Sequence, residues 1–268
     1  MTFGEYNHLF GILSEPQNES SDAYKPIVLI LNSGLVNRAG PFRMSAELAR
    51  VLTSSGYEVF RFDLSGIGDS ERPNTDRRGF EERNLDDIEK AVCCLRKRNP
   101  SQKVIVLGLC TGADFSHRAG SRISSVSGCI LLDGYGYPSM RFYLKRFVPI
   151  LLNPIRFFKA AAMVFKALAK PETSNDDSGF TWEHPLKSEY IENMETMHKR
   201  NVKHLYVHTG GVKSYFNYAN QYKDVFSKYP FSKDVTTEYF ENADHSYILL
   251  KQRKQLFSLI TDWLSTEF

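Results

Sequence analysis

A doubly wound, mostly parallel α/β sheet is predicted by three features of the sequence. Short apolar runs of the kind buried on both faces recur at residues 25–31, 56–62, 104–109 and 128–133. Helical patterns fall between them, giving strand, helix, strand, helix, strand. The third run ends in Gly108-Leu109-Cys110-Thr111-Gly112, where glycines flank a nucleophilic side chain as a tight strand-to-helix turn requires.

Taken in order, residues 6–13 predict one or two edge strands leading into a polar loop at 14–24. The strand at 25–31 ends at Asn32-Ser33-Gly34-Leu35. A helix follows from near Pro41, with Met44, Leu48 and Leu52 at helical spacing. The strand at 56–62 runs into the loop 63–70, and a helix is expected over 85–97. After the glycine-flanked turn come a helix over 113–123 and a strand at 128–133 with Asp133 at its carboxyl end. Residues 202–208 and 235–240 supply two more strands, separated by a helix over 215–228. The chain closes with Asp244-His245 and an amphipathic helix ending near Leu264. No internal repeat or low-complexity segment interrupts this order. The core is therefore expected at 1–133 and 202–268. Residues 134–201, too long for a loop, are expected to form a helical cap over the carboxyl edge of the sheet.

The turn at Cys110 carries the first chemical signal. A sulfur at a helix N-terminus faces unpaired N–H groups and the positive end of the dipole, which favour thiolate over thiol. The alternative is a small residue buried at a strand end. The 268 residues are 42% hydrophobic and 24% charged, ample for one large domain with its own core. A formal charge of +3 gives no reason by itself to expect nucleic acid as a partner. No leader pattern and no run of membrane-span length are evident. Cys93, Cys94, Cys110 and Cys129 lack metal-ligand spacing, so no metal or cofactor is expected, and free thiols in a reducing cytoplasm are the simplest account.

Four ordered features now converge: a glycine-containing turn after an early strand, an Asp-x-x-Gly-x-Gly-x-Ser loop after the next, the elbow at Cys110, and a late Asp-His before a terminal helix. In these the chain resembles the α/β-hydrolase superfamily over essentially its whole length. The segments 32–38 (Asn-Ser-Gly-Leu-Val-Asn-Arg), 61–70 (Arg-Phe-Asp-Leu-Ser-Gly-Ile-Gly-Asp-Ser) and 108–113 (Gly-Leu-Cys-Thr-Gly-Ala) look more narrowly like exosortase-associated hydrolases, where cysteine replaces serine.

The resemblance implies Cys110 as nucleophile and His245 as general base, the imidazole holding the sulfur as thiolate and later protonating the leaving group. It also implies an oxyanion hole of two backbone N–H groups, each worth roughly 3 kcal/mol of barrier. Thr111 N–H, directly after the nucleophile, is one. Leu35 N–H is the candidate second, because Ser33-Gly34 stands where the superfamily commonly has His-Gly. The usual place for the triad acid, just after the strand at 202–208, carries no carboxylate in residues 209–217. Asp133 occupies the alternative acid position used by some lipases of the superfamily. Asn217 could instead orient the imidazole as an amide does in papain-like enzymes. A turn-capping role for Asp133 is the plainer alternative. Asp63 and Asp69 are expected to shape their loop, and Asp244 is too close in sequence to reach the ring of His245. His117 is expected to be structural or exposed, and His8, His184, His198, His204 and His208 carry no positional signal.

Residues 134–170 hold seven basic residues, Arg141, Lys145, Arg146, Arg156, Lys159, Lys166 and Lys170, and no acidic one. They are interleaved with large apolar residues from Phe142 to Leu168, among them Phe157, Met163, Val164 and Phe165. Such segments either pack their apolar face on a core with cations solvated, or dock on an acidic surface. Two partners fit the second case: anionic lipid headgroups, or an acyl carrier protein presenting a thioester. The expected activity is cleavage of an ester or thioester through an S-acyl intermediate. Transfer or cyclisation onto a non-water acceptor is an alternative, as is a non-catalytic scaffold, which the missing carboxylate near Val212 would fit. Small-lactone hydrolysis of the dienelactone type also uses cysteine in this fold, but the long apolar cap argues against a small polar substrate.

Overall fold

The computed structural model describes residues 1–17, 25–153, 158 and 185–268. The end of the polar loop, His184, and the cap residues Arg156, Phe157, Lys159, Met163, Val164, Phe165, Lys166, Leu168 and Lys170 lie outside the described residues. Among the described residues, the strands are β1 (Thr2–Phe3), β2 (Leu9–Ser14), β3 (Ile27–Ile30), β4 (Val59–Phe62), β5 (Val104–Leu109), β6 (Val126–Leu132), β7 (Lys203–Thr209) and β8 (Val235–Phe240). They form one sheet in the order β1-β2-β4-β3-β5-β6-β7-β8. Only the β1–β2 and β2–β4 pairings are antiparallel; from β4 to β8 the sheet is parallel.

Period-two alternation distributes each parallel strand between two cores, because successive side chains leave opposite faces. Ile27 and Leu29 of β3 and Val104 and Val106 of β5 join one cluster, while Val28, Ile30, Ile105 and Leu107 join the other. The first cluster is covered by α2 (Phe80–Arg98), α3 (Thr111–Arg122) and α5 (Lys187–Lys199); the second by α1 (Met44–Ser54) and α7 (Leu250–Glu267). Both faces are thus closed, which is why these strands read as unbroken apolar runs. The result is the doubly wound, mostly parallel sheet that the sequence predicts.

Three elements differ from expectation. The helix α2 begins at Phe80, five residues before 85, and its first turn carries Glu81 and Glu82, which suit the positive end of the helix dipole. The helix expected over 215–228 shrinks to α6 (Gln221–Phe226). The Gln221 side chain explains this: its Nε2 donates to the carbonyls of Tyr137 (3.0 Å) and Tyr215 (2.6 Å), and its Oε1 accepts from Asn217 N–H (3.0 Å). Backbone groups that a helical ladder would have paired are satisfied by this one amide.

The third difference concerns the 134–201 insertion. The helix α4 (Met140–Leu151) buries only Phe142, leaving Met140, Tyr143, Leu144, Phe147, Val148 and Leu151 exposed. The helix α5 does the opposite. Tyr190, Met194 and Met197 lie in the core beside α3, and Arg118 of α3 pairs with Glu189 at 3.0 Å. A parallel β6–β7 pair needs a crossover, and α5 provides it. The insertion therefore divides into an outward helix at its start and a core helix at its end. Accordingly, Met194→Ala is expected to cost roughly 2–5 kcal/mol in urea unfolding, and Leu144→Ala to stay within about 0.5 kcal/mol.

Candidate active site

The strand β5 delivers Cys110 at φ 58°, ψ −121°, a conformation a non-glycine residue holds only under strain of order 1–3 kcal/mol. Neighbouring contacts enforce it. Cys110 N–H donates to Leu132 O at 2.9 Å, and Ala113 N–H donates to Cys110 O at 2.9 Å as α3 begins. The flanking glycines are obligatory by close approach: a Cβ on Gly108 would collide with Gly112 O, and one on Gly112 with Asn32 O. The thiol is half-buried, and all four cysteines are free.

His245 lies in the loop between β8 and α7. Its Nδ1 is 2.9 Å from Asp133 Oδ2, and Cys110 is the second group that raises the pKa of the ring. Asp133 is fully buried, at φ 48° just past β6. Its carboxylate has two further donors from one residue: Thr209 N–H reaches Oδ1 at 2.6 Å and Thr209 Oγ1 reaches Oδ2 at 2.7 Å. Hydrogen bonding to Asp133, and then to Cys110, pushes the pKa of His245 up to about 10 against the opposing effect of burial. The structure therefore brings Cys110, His245 and Asp133 together, with His245 hydrogen-bonded to Asp133 and acted on by Cys110.

Asn217 is elsewhere. Its Nδ2 donates to Phe142 O at 3.2 Å, tying the turn after β7 to α4, and its Oδ1 is buried with no partner. Of the two residues considered for orienting His245, only Asp133 touches it.

The loop after β3 approaches the start of α3. Gly34 N–H donates to Thr111 Oγ1 at 2.7 Å, and Val36 N–H donates to Ser33 O at 3.0 Å. Leu35 N–H lies between these two committed groups, and Thr111 N–H is in the first turn of α3, where the helix offers no acceptor. A network below fixes this loop. Arg38 pairs with buried Asp63 and, at 2.6 Å, with Asp69; Asn32 Nδ2 donates to Val36 O at 2.8 Å and Leu64 N–H donates to Asn32 Oδ1 at 2.9 Å. Asp63 and Asp69 are thus engaged in holding the loop. Asp244 accepts from Ser246 N–H at 2.9 Å and Ile248 N–H at 3.1 Å, shaping the turn that carries His245.

A family model described as the alpha/beta hydrolase fold matches residues 26–233. The chain belongs to the alpha/beta hydrolase family. Similar solved structures include a proline iminopeptidase from Mycobacterium smegmatis, with 14% identity, TM-score 0.63, and coverage of 99% of this chain and 97% of that one. Est1E from Butyrivibrio proteoclasticus aligns at 14% identity and TM-score 0.60 over 99% of this chain and 97% of its own. A soluble variant of monoglyceride lipase from Saccharomyces cerevisiae, in complex with a substrate analogue, aligns at 14% identity and TM-score 0.58 over 96% and 91% of the two chains. No curated protein matches the chain.

Other groups of this α/β hydrolase surround the row. Tyr215 O–H donates to Asp133 O at 3.1 Å, and burial pushes its phenol pKa up, so it stays neutral. Between α3 and α5 a narrow cleft is lined in part by Gly134, Tyr135, His117, Tyr190, Tyr206 and His208. Burial pushes His117 down to about 3 and His208 to about 4, so both imidazoles are neutral at pH 7. His117 stacks on Tyr190 at 4.6 Å, and His208 stacks on Phe216 at 3.8 Å with Nε2 3.1 Å from Gly134 O. Among the described residues no His, Cys, Asp and Glu side chains cluster as a metal site. No described helix is long and apolar enough to cross a membrane.

Thr209 and Tyr215 are not legible in the sequence, where the turn after β7 offers no carboxylate and only the amide of Asn217 as a candidate partner for His245. The Gly210-Gly211 pair was the available signal: a Cβ on Gly211 would come within 2.5 Å of His245 N. Because folding raises the His245 pKa from 6.5 to about 10, its ionisation stabilises the fold in full below about pH 6.5, and this contribution is lost as pH rises through about 10. NMR titration of the His245 ring is expected to show a midpoint near 10, and Asp133→Asn to lower it. A midpoint that Asp133→Asn leaves unchanged would show that the carboxylate does not hold the charge on the ring.

Proposed function

We propose that this α/β hydrolase cleaves an ester or thioester through an S-acyl intermediate on Cys110, with His245 as the proton carrier and Asp133 orienting it. One observation carries the reading: a single imidazole hydrogen-bonded to a fully buried carboxylate, with that carboxylate and Cys110 together raising its pKa to about 10. Such a ring is an imidazolium at neutral pH and stabilises a thiolate beside it.

In the proposed reaction the thiolate sulfur bonds the carbonyl carbon, and the carbonyl π electrons move onto oxygen. The N–H groups of Thr111 and Leu35 receive that oxyanion. As it collapses, the bond to the leaving oxygen or sulfur breaks, and the imidazolium supplies the proton. Neutral His245 then takes a proton from water, whose oxygen attacks the S-acyl carbon and releases acid and thiolate. Thiolate attack on a thioester is close to balanced exchange, so thioesters are the preferred class. Two of the similar structures are named as a peptidase and a lipase, which fits acyl chemistry at a carbonyl carbon.

The narrower resemblance to exosortase-associated hydrolases, with cysteine in place of serine, agrees with this reading. In the same proposal α4 receives the acyl-bearing partner. Its exposed apolar side chains suit an acyl chain, and Arg141, Lys145 and Arg146, with no acid on the helix, suit an acidic carrier. A reducing cytoplasm would keep the Cys110 thiol available.

Incubation with a short acyl thioester is expected to add one acyl mass to the wild type and none to Cys110→Ala. Equal adducts on both, or none on either, would overturn the nucleophile assignment. Asp133→Asn is expected to lower turnover by roughly 10²-fold or more, and Asn217→Ala by less than about tenfold, because Asn217 touches α4 and not the imidazole.

A further inference from the structure

The acid of the row stands just past β6, and the end of β7 with the turn that follows, the usual place for it, offers Thr209-Gly210-Gly211 instead. The threonine binds both oxygens of Asp133: N–H to Oδ1 at 2.6 Å and Oγ1 to Oδ2 at 2.7 Å. Oδ2 is the oxygen that also meets His245 Nδ1 at 2.9 Å. Gly211 N–H in turn donates to Thr209 Oγ1 at 3.2 Å. That bond occupies a hydroxyl lone pair, so the hydroxyl proton is directed at the carboxylate. Thr209 and Asp133 both have no exposed surface, so solvent does not replace a lost donor.

We propose that Thr209 is a positioning residue, clamping the Asp133 carboxylate so that Oδ2 stays aimed at His245. The proposal rests on reading Cys110, His245 and Asp133 as the catalytic row. A carboxylate held by one donor can turn about its Cβ–Cγ bond; one held at both oxygens cannot turn without breaking a buried hydrogen bond. Thr209 thus does from β7 what an acid on β7 would not need: it fixes the direction of an acid supplied by the neighbouring strand. Gly211 serves the same end, since only a residue without Cβ lets this turn press against His245 N.

The groups that act on His245 are Asp133 from the end of β6 and Cys110 from the elbow; neutral Tyr215 donates to the Asp133 carbonyl, and Asp244 in the same loop is taken up by Ser246 and Ile248 N–H. None but Asp133 depends on Thr209 in this structure, so its removal is read through Asp133 alone. The test uses full-length protein with Thr209→Val and Thr209→Ser. Iodoacetamide reports the Cys110 thiolate, with peptide mass spectrometry separating Cys110 from the other cysteines, and NMR reports the His245 titration. In Thr209→Val the titration midpoint is expected to move below that of the wild type, and alkylation of Cys110 at pH 7 to slow about tenfold. Thr209→Ser is expected to restore both. Thr209→Ala supplies the same comparison if the valine variant does not fold.

An unchanged midpoint and alkylation rate with a lowered melting temperature would overturn the proposal and leave Thr209 as a cap of the turn. A loss that serine does not restore would overturn it as well. The two readings fail separately: slowed alkylation in Thr209→Val with no acyl adduct on the wild type supports the clamp and removes the acyl-transfer reading. Acyl adduct formation with a silent Thr209→Val removes the clamp alone.

Discussion

A fully buried carboxylate organises the functional edge of this protein. An ionised group without solvent is tolerated only where donors meet it. Asp133 collects them from two segments remote in sequence: the end of β7, through Thr209, and the loop after β8, through His245. Its own carbonyl accepts from Tyr215 at 3.1 Å, and its N–H donates to Val207 O at 2.8 Å. Satisfying one residue therefore draws two loops together at the carboxyl end of the sheet. The glycines at 210 and 211 allow that convergence, because a Cβ on either would strike the backbone of the loop that carries His245.

The elbow is a second constraint of a different kind, steric where the first is electrostatic. Cys110 and Asp133 both sit at positive φ at the ends of adjacent parallel strands, and Cys110 N–H pairs with Leu132 O across them. The parallel register of β5 and β6, Leu109 opposite Leu132, sets the two residues side by side before any side chain is considered. Strain at both is carried by strands buried on each face, where the many apolar contacts of the two cores outweigh a few kcal/mol. The loop at 32–38 is tied to the same place by Thr111 Oγ1 above and by the Arg38–Asp63 pair below.

Much of this could be read from the sequence because it follows from local rules. Apolar runs buried on both faces show themselves without alternation, and glycines two residues either side of Cys110 report a close approach that needs no structure to infer. The residue orienting His245 could not be settled in the same way. Asp133 and Asn217 both follow strand ends and both offer an oxygen, and what separates them is tertiary: Asn217 is spent on Phe142 O while Asp133 faces the ring. Long-range side-chain satisfaction also hid the short α6, whose flank is paired by Gln221, and the burial of His117 against Tyr190. The division of the 134–201 insertion was hidden for a related reason. Composition points the wrong way, since α4 carries eight large apolar residues in twelve and α5 four in thirteen, and the need for a β6–β7 crossover is what assigns α5 to the core.

On the proposed reading, the choice of sulfur follows from the base. An imidazole whose pKa stands near 10 is already protonated at neutral pH and has little capacity to take a proton from a neutral hydroxyl. It suits a nucleophile that ionises by pairing with it, which a thiol does and a serine does not. Part of the elevation comes from Cys110 itself, through its hydrogen bond and charge. Once the sulfur is acylated both contributions vanish. The ring then holds its proton less tightly at the step where the leaving group must receive it, and is left neutral to activate water. Asp133 remains bonded to Nδ1 throughout and keeps the ring in place. The nucleophile and the base thus set each other's protonation in sequence, and the fixed carboxylate allows that exchange to proceed without the imidazole moving.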